Sequence, residues 1–207
     1  MNKKKLLTMV LALVLIGAVG VGATLAYFTD NDSATNVVTM GHVNIELTEE
    51  DWTYGEEGIT GVTPGQEIAK DPTITLVGDS LDAYVRIKLE VTGFDGVENA
   101  DAYKEDVLED LVLGEGWEKV GDYYYYAKKL TKDIPSTTAL FEKVIIPGEW
   151  TNDVANATFN ILVSAEAIQA DNFLPDGLTK SENGEISGTI TGWTLPEGHE
   201  IEEYTGQ

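Results

Sequence analysis

Ala83-Tyr-Val-Arg-Ile-Lys-Leu-Glu-Val91 is the stretch on which the fold turns. Ala83, Val85, Ile87, Leu89 and Val91 alternate with Tyr84, Arg86, Lys88 and Glu90. A period of two places the first set on one face of an extended chain and the second on the other. The spacing predicts a core strand. Thr158 to Ile168 repeats the pattern over a longer run, with Phe159, Ile161, Val163, Ala165 and Ala167 on one side.

Shorter strands surround these two. Trp117 to Val120 and Tyr123 to Tyr126 flank Gly121-Asp122, a two-residue link that signals a hairpin. Alternation within Tyr123 to Tyr126 turns two rings inward and leaves an exposed pair. Trp52, Trp117, Trp150 and Trp193 are scattered and read as packing residues. Thr73 to Val77 is rich in β-formers and ends at the turn Gly78-Asp79-Ser80. Leu140 to Ile146 is closed by Pro147-Gly148, and His42 to Leu47 alternates as a first, half-buried strand. Glu49 to Gly65 is acidic and glycine-rich and reads as a loop. Tyr103, Val107, Leu108 and Leu111 recur at helical spacing, which predicts a helix near 101–113. Asn99 or Asp101 can cap its start and Gly114 can end it.

Many short strands separated by turns indicate an antiparallel β-sandwich over 42–173, with one or two helices in its connections. Residues 174–207 are polar and glycine-rich. They read as an extension that adds one strand at Ile186 to Ile190 and then frays.

The beginning of the chain reads differently. Lys3, Lys4 and Lys5 precede an apolar run from Leu6 to Val21, the pattern of a secretory signal. A membrane anchor is the competing reading of so long a run. Small residues crowd its far end, and no basic stop-transfer cluster follows. Residues 1–27 are therefore expected to form a signal helix cut once after Ala26 or Tyr27, with Ala26, Tyr27 and Phe28 around the cut. That cut releases 28–41 as an N-terminal arm with β-capable Thr35, Val37, Val38 and Thr39, followed by Met40.

Leu25-Ala-Tyr-Phe-Thr-Asp30, with Asn36 and Gly41-His-Val-Asn-Ile-Glu-Leu47, resembles the TasA/camelysin family of secreted proteins. Asp122 to Tyr126, Leu140 to Val144 and Ala165 to Ala170 resemble that family's later blocks. The resemblance covers most of residues 20–173. It implies a jelly roll, a signal cut by a SipW-type signal peptidase, and a mature chain beginning near Phe28. It also implies secretion to an extracellular matrix or the cell surface, and assembly into biofilm fibres with accessory matrix proteins as partners. Camelysin is described as a metalloendopeptidase, so the resemblance brings that alternative as well.

Composition and motifs sort these classes. The 207 residues carry a formal charge of −23. Removing residues 1–27 takes three lysines and no acid, so 13 basic residues become 10 against 36 acidic, or −26. That balance argues against nucleic acid as a partner. It makes self-association sensitive to salt and cations. With no cysteine, an exported chain must be held by its core, by ions or by neighbours. The two histidines, His42 and His199, are weak metal candidates: they lie far apart and outside any His-Glu-x-x-His. Asp30-Asn-Asp-Ser33 matches the start of a calcium loop but fails at Ala34. No cofactor is expected, although oxygen-rich acidic loops leave calcium open. No catalytic residues are expected either.

The expected function is a structural protein whose arm (Phe28, Thr35, Val37, Val38 and Met40 at its key positions) completes a sheet of a neighbouring subunit by donor-strand exchange. The alternatives are a camelysin-like metallopeptidase and a surface binding module that does not assemble.

Overall fold

A computed structural model describes residues 42–55, 58–171, 173–195 and 202–205. The expected signal helix and arm lie outside the described residues. The fold is mainly β, with antiparallel sheets layered as a sandwich. Its elements are β1 (Ile45–Thr48), β2 (Glu67–Ala69), β3 (Thr73–Leu76), β4 (Ala83–Gly93), α1 (Ala100–Glu109), β5 (Trp117–Val120) and β6 (Tyr123–Tyr126). They continue with β7 (Lys143–Ile145), a 3-10 turn (Asn152–Val154), β8 (Phe159–Gln169), β9 (Asp176–Lys180), β10 (Ile186–Gly192) and β11 (Glu202–Thr205).

The two alternating runs of the sequence are the two longest strands. They pair with each other in unbroken register from Ala83↔Gln169 to Gly93↔Phe159. The main sheet is built around them in the order β11-β8-β4-β6-β5. Gly121-Asp122 closes the β5–β6 hairpin as the sequence predicts.

The second layer is a long, interrupted ribbon. Residues 65–69 pair with 143–146, and 72–76 with 135–140, through bonds such as Leu140 N to Pro72 O (2.8 Å) and Leu76 N to Pro135 O (2.8 Å). Pro72 has no N–H to donate and divides the ribbon into β2 and β3. Strand β1 adds to the other side of β3. Ile45, Ile74, Leu140, Phe141 and Val144 from this layer share one buried core with Val85, Ile87, Leu89, Val91, Val163 and Ala165 of the main sheet. Burial of this apolar area is the main stabilising term.

Several boundaries differ from expectation. The strand expected over Leu140 to Ile146 is ordered as β7 only over Lys143–Ile145, because Leu140 and Phe141 are both buried and cannot both obey a period of two. Helix α1 stops at Glu109, four residues short of the expected Leu113. Asn99 sits in the left-handed region (φ 60°) and its side chain makes no cap bond. Gly114 does not cap the helix. Its N–H bonds Leu140 O at 2.9 Å, which pulls the chain out of the helix and onto the second layer.

The tail departs most. In place of one fraying strand, residues after Phe173 supply β9, β10 and the edge strand β11.

Candidate assembly interface

The geometry of the main-sheet edges follows from the phase of the β4–β8 ladder. Ala170 N bonds Asp82 O (2.8 Å) at one end, and Phe94 N bonds Thr158 O (2.9 Å) at the other. Between them, even-numbered residues of both strands bond each other. Odd-numbered residues of β4 therefore turn their N–H and C=O toward β6, and those of β8 turn theirs toward β11. The flanking strands are short. β6 covers only Arg86 to Lys88, and β11 covers only Ser164 to Ala167. The central pair overhangs both at its Gly93–Phe159 end.

The two overhanging edges are unlike. On the β4 side, Leu89 and Val91 are each only 7% exposed, with α1 packed against the strand through Val107. A groove of about 420 Å³ remains between Leu108 and the hairpin tip at Gly121-Asp122, lined also by Lys88 and Lys119. On the β8 side, Phe159 and Ile161 are half-buried and Leu162, on the outer face, is 50% exposed. No strand among the described residues pairs with Phe159 to Val163 on that side.

The overhang is rigid at its tip. Gly93 has φ 100°, and a Cβ there would run into the Thr158 carbonyl oxygen. Phe94 follows with φ 58° and is buried in an aromatic cluster. Its ring centroid lies 5.1 Å from Phe159, 5.6 Å from Trp150 and 5.9 Å from Tyr103. Trp150 Nε1 donates to Asp106 Oδ2 at 3.2 Å and ties the cluster to α1.

The chain enters the body at the other end. Leu81 N bonds His42 O (3.0 Å), Asn44 N bonds Ser80 Oγ (2.9 Å), and Val77 N bonds Asn44 O (3.0 Å). His42 thus lies beside the start of β4, and the overhang lies some ten residues away along the strand, about 33 Å at the usual rise.

The outer face of the main sheet is half covered. Tyr84 and Ile168 are opposite each other in the ladder and pack with Phe173, Leu174, Leu178, Trp193 and Leu195 from the tail. Next to them Arg86 is 8% exposed. Its Nε donates to Glu166 Oε2 at 2.7 Å and its Nη1 to the Tyr125 hydroxyl at 3.1 Å. The guanidinium lies 3.8 Å from the Tyr123 ring centroid and 4.6 Å from that of Trp193. The expected exposed tyrosine pair is therefore absent: Tyr125 is buried and Tyr123 is half-buried, because the tail and Arg86 close over the face that alternation points outward. At the rim, Lys129 Nζ reaches Asp82 Oδ2 at 2.8 Å. That hydrogen bond raises the Lys129 pKa, and burial raises that of Tyr84.

Among the expected site residues, Ala26, Tyr27, Phe28, Thr35, Val37, Val38, Met40 and His199 lie outside the described residues. His42 is exposed at the start of the first strand. No group of three or more His, Asp or Glu that could hold a metal ion occurs among the described residues. The overhang itself was missed by the sequence reading. Its signal was available, since strands of nine and eleven alternating residues stood beside hairpin strands of four. Comparisons of the chain with protein-family models, with curated proteins and with solved structures return no match.

Proposed function

We propose that this chain is a secreted structural protein that assembles into extracellular fibres of a biofilm matrix or surface layer. The observation that carries this reading is the disposition of two features. Among the described residues a main-sheet edge is unpaired at one end of the sandwich, and His42, which follows a stretch of strand-forming residues in the sequence, lies at the opposite end. An open edge is a template for another strand. A head-to-tail contact that does not close on itself makes a filament. The resemblance to TasA and camelysin points the same way. On this reading a SipW-type peptidase cuts beside Tyr27 and frees the arm from Phe28 to Met40, which joins the sheet of the next copy. Accessory matrix proteins are further partners.

The test is intact-mass measurement of secreted protein followed by electron microscopy of the matured chain. A product cut beside Tyr27 that forms filaments is the expected result. A mature product that stays monomeric under all salt and pH conditions favours the surface binding module. The metallopeptidase reading requires hydrolysis of casein that is lost with chelator and again on His42→Ala. No such hydrolysis is expected.

A further inference from the structure

We propose that β11 is a removable cap on the edge that receives a second copy of this chain. The acceptor is β8, and its rungs from Phe159 to Val163, unpaired on that side among the described residues, are the place where the incoming strand starts. This rests on the fibre reading above and adds which edge is used and what restrains it.

Three observations lead there. Of the two overhanging edges, the one on β4 faces α1 across the groove lined by Leu108, whereas the one on β8 carries half-buried Phe159 and Ile161 beside an exposed leucine. The odd-numbered residues Phe159, Ile161 and Val163 turn their backbone groups to that open side, by the phase of the ladder. Five rungs match the five residues Thr35-Asn-Val-Val-Thr39, which carry no charge and no proline or glycine.

Direction selects the copy. A strand antiparallel to β8 beside these rungs runs toward Phe159, so its C-terminal end leaves the sandwich at the Phe159 tip. An arm attached through His42 to a second body, stacked beyond that tip, has this direction. His42, which follows the arm in the chain, lies beside Leu81 at the far end. A strand laid along β8 and ending there would run parallel to it and would occupy first the rungs under β11. Antiparallel pairing by a second copy is therefore the better fit, and it repeats head to tail.

Strand β11 sets the limit. It has four residues and lies at the sheet edge, so it is held to β8 only over Ser164 to Ala167. A strand seated on Phe159 to Val163 can lengthen only by lifting β11 from Ser164 to Ala167. The whole edge of β8 is eleven residues, about 36 Å, and the thirteen-residue arm spans about 43 Å extended.

The test compares the mature chain from Phe28 with one ending at Leu195. If the cap is real, the shortened chain keeps its far-UV β signal and forms fibres after a severalfold shorter lag. An unchanged or longer lag in a shortened chain that retains its fold overturns the cap. Should the shortened chain lose its fold, Glu202→Pro/Tyr204→Pro, which removes donors from β11 alone, must shorten the lag in its place. The edge is tested separately by disulfides, since the chain has no cysteine of its own. One copy carries Leu162→Cys, and an isotopically labelled copy carries Asn36→Cys or Val38→Cys. Mixed-label dimers in the fibres are expected. Fibres without such links overturn the β8 edge and leave the fibre reading intact. In a third preparation in which one copy carries both cysteines, links that close within that copy overturn the second copy as occupant. A mature chain that never forms fibres removes the reading on which the proposal rests.

Discussion

At the scale of single residues, Arg86 joins the most physics in the smallest space. It is paired, hydrogen-bonded and stacked between two rings while nearly out of solvent. Removing one member of a buried ion pair strands the other. Arg86→Met is expected to cost about 3 kcal/mol in urea unfolding, and adding Glu166→Leu is expected to recover most of it. A double variant no more stable than the single one would remove the pair as the cause. Trp193 behaves differently, because its Nε1 is buried with no hydrogen-bond partner among the described residues. Trp193→Ala should cost about 3 kcal/mol through lost ring contacts. Trp193→Phe should stay within about 1 kcal/mol, since it deletes the unmatched N–H and keeps an aromatic ring. Tyr84 and Lys129 define an alkaline limit. Both have folded pKa values above the ordinary ones, Tyr84 through burial and Lys129 through its bond to Asp82. A raised folded pKa contributes stability that is present below the unfolded value and lost as pH climbs through the folded one. Stability should therefore fall from about pH 10 upward. Lys129→Met should flatten part of that fall.

At the scale of elements, the β4–β8 ladder is the frame and the short strands are attachments. Its closure at the tip depends on Gly93, where positive φ and the Thr158 carbonyl both exclude a side chain. Gly93→Ala is expected to cost about 2 kcal/mol or more and to raise hydrogen exchange at Phe94, with exchange at Val85 to Ile87 unchanged. The β9–β10 hairpin has its own such point. A Cβ on Gly188 (φ 115°) would run into the Gly177 carbonyl oxygen. Gly188→Ala should loosen the hairpin and its cover over Tyr84, and leave the opposite core face in place. Helix α1 shows the reverse lesson. Its periodic apolar residues extend to Leu111, but a backbone bond from Gly114 to Leu140 ends it early.

At the scale of the whole molecule, net charge and end-to-end geometry govern what copies do to one another. Chains carrying −23 each, or −26 after the proposed cut removes three lysines, repel, and the repulsion reaches about 8 Å in physiological salt. Lower pH, divalent cations or high salt should speed assembly of the mature chain, read by light scattering. Deleting Phe28 to Thr39 should leave the β signal intact and abolish fibres. Fibres of normal yield from that deletion would place the connection elsewhere on the body.

The sequence alone determined the mainly β class, the two long strands, the β5–β6 hairpin and the inward face of each. These follow from a period of two and from two-residue turn chemistry, which are local and need no partner to be read. Only the tertiary structure decided which strand lies beside which, and hence that β4 and β8 overhang their neighbours. It alone decided that Tyr125 and Arg86 are buried, because their cover comes from Trp193, more than sixty residues away in the chain. Alternation fixes the side of a sheet to which a residue points; whether that side meets water depends on packing by segments remote in sequence, and no local pattern encodes that.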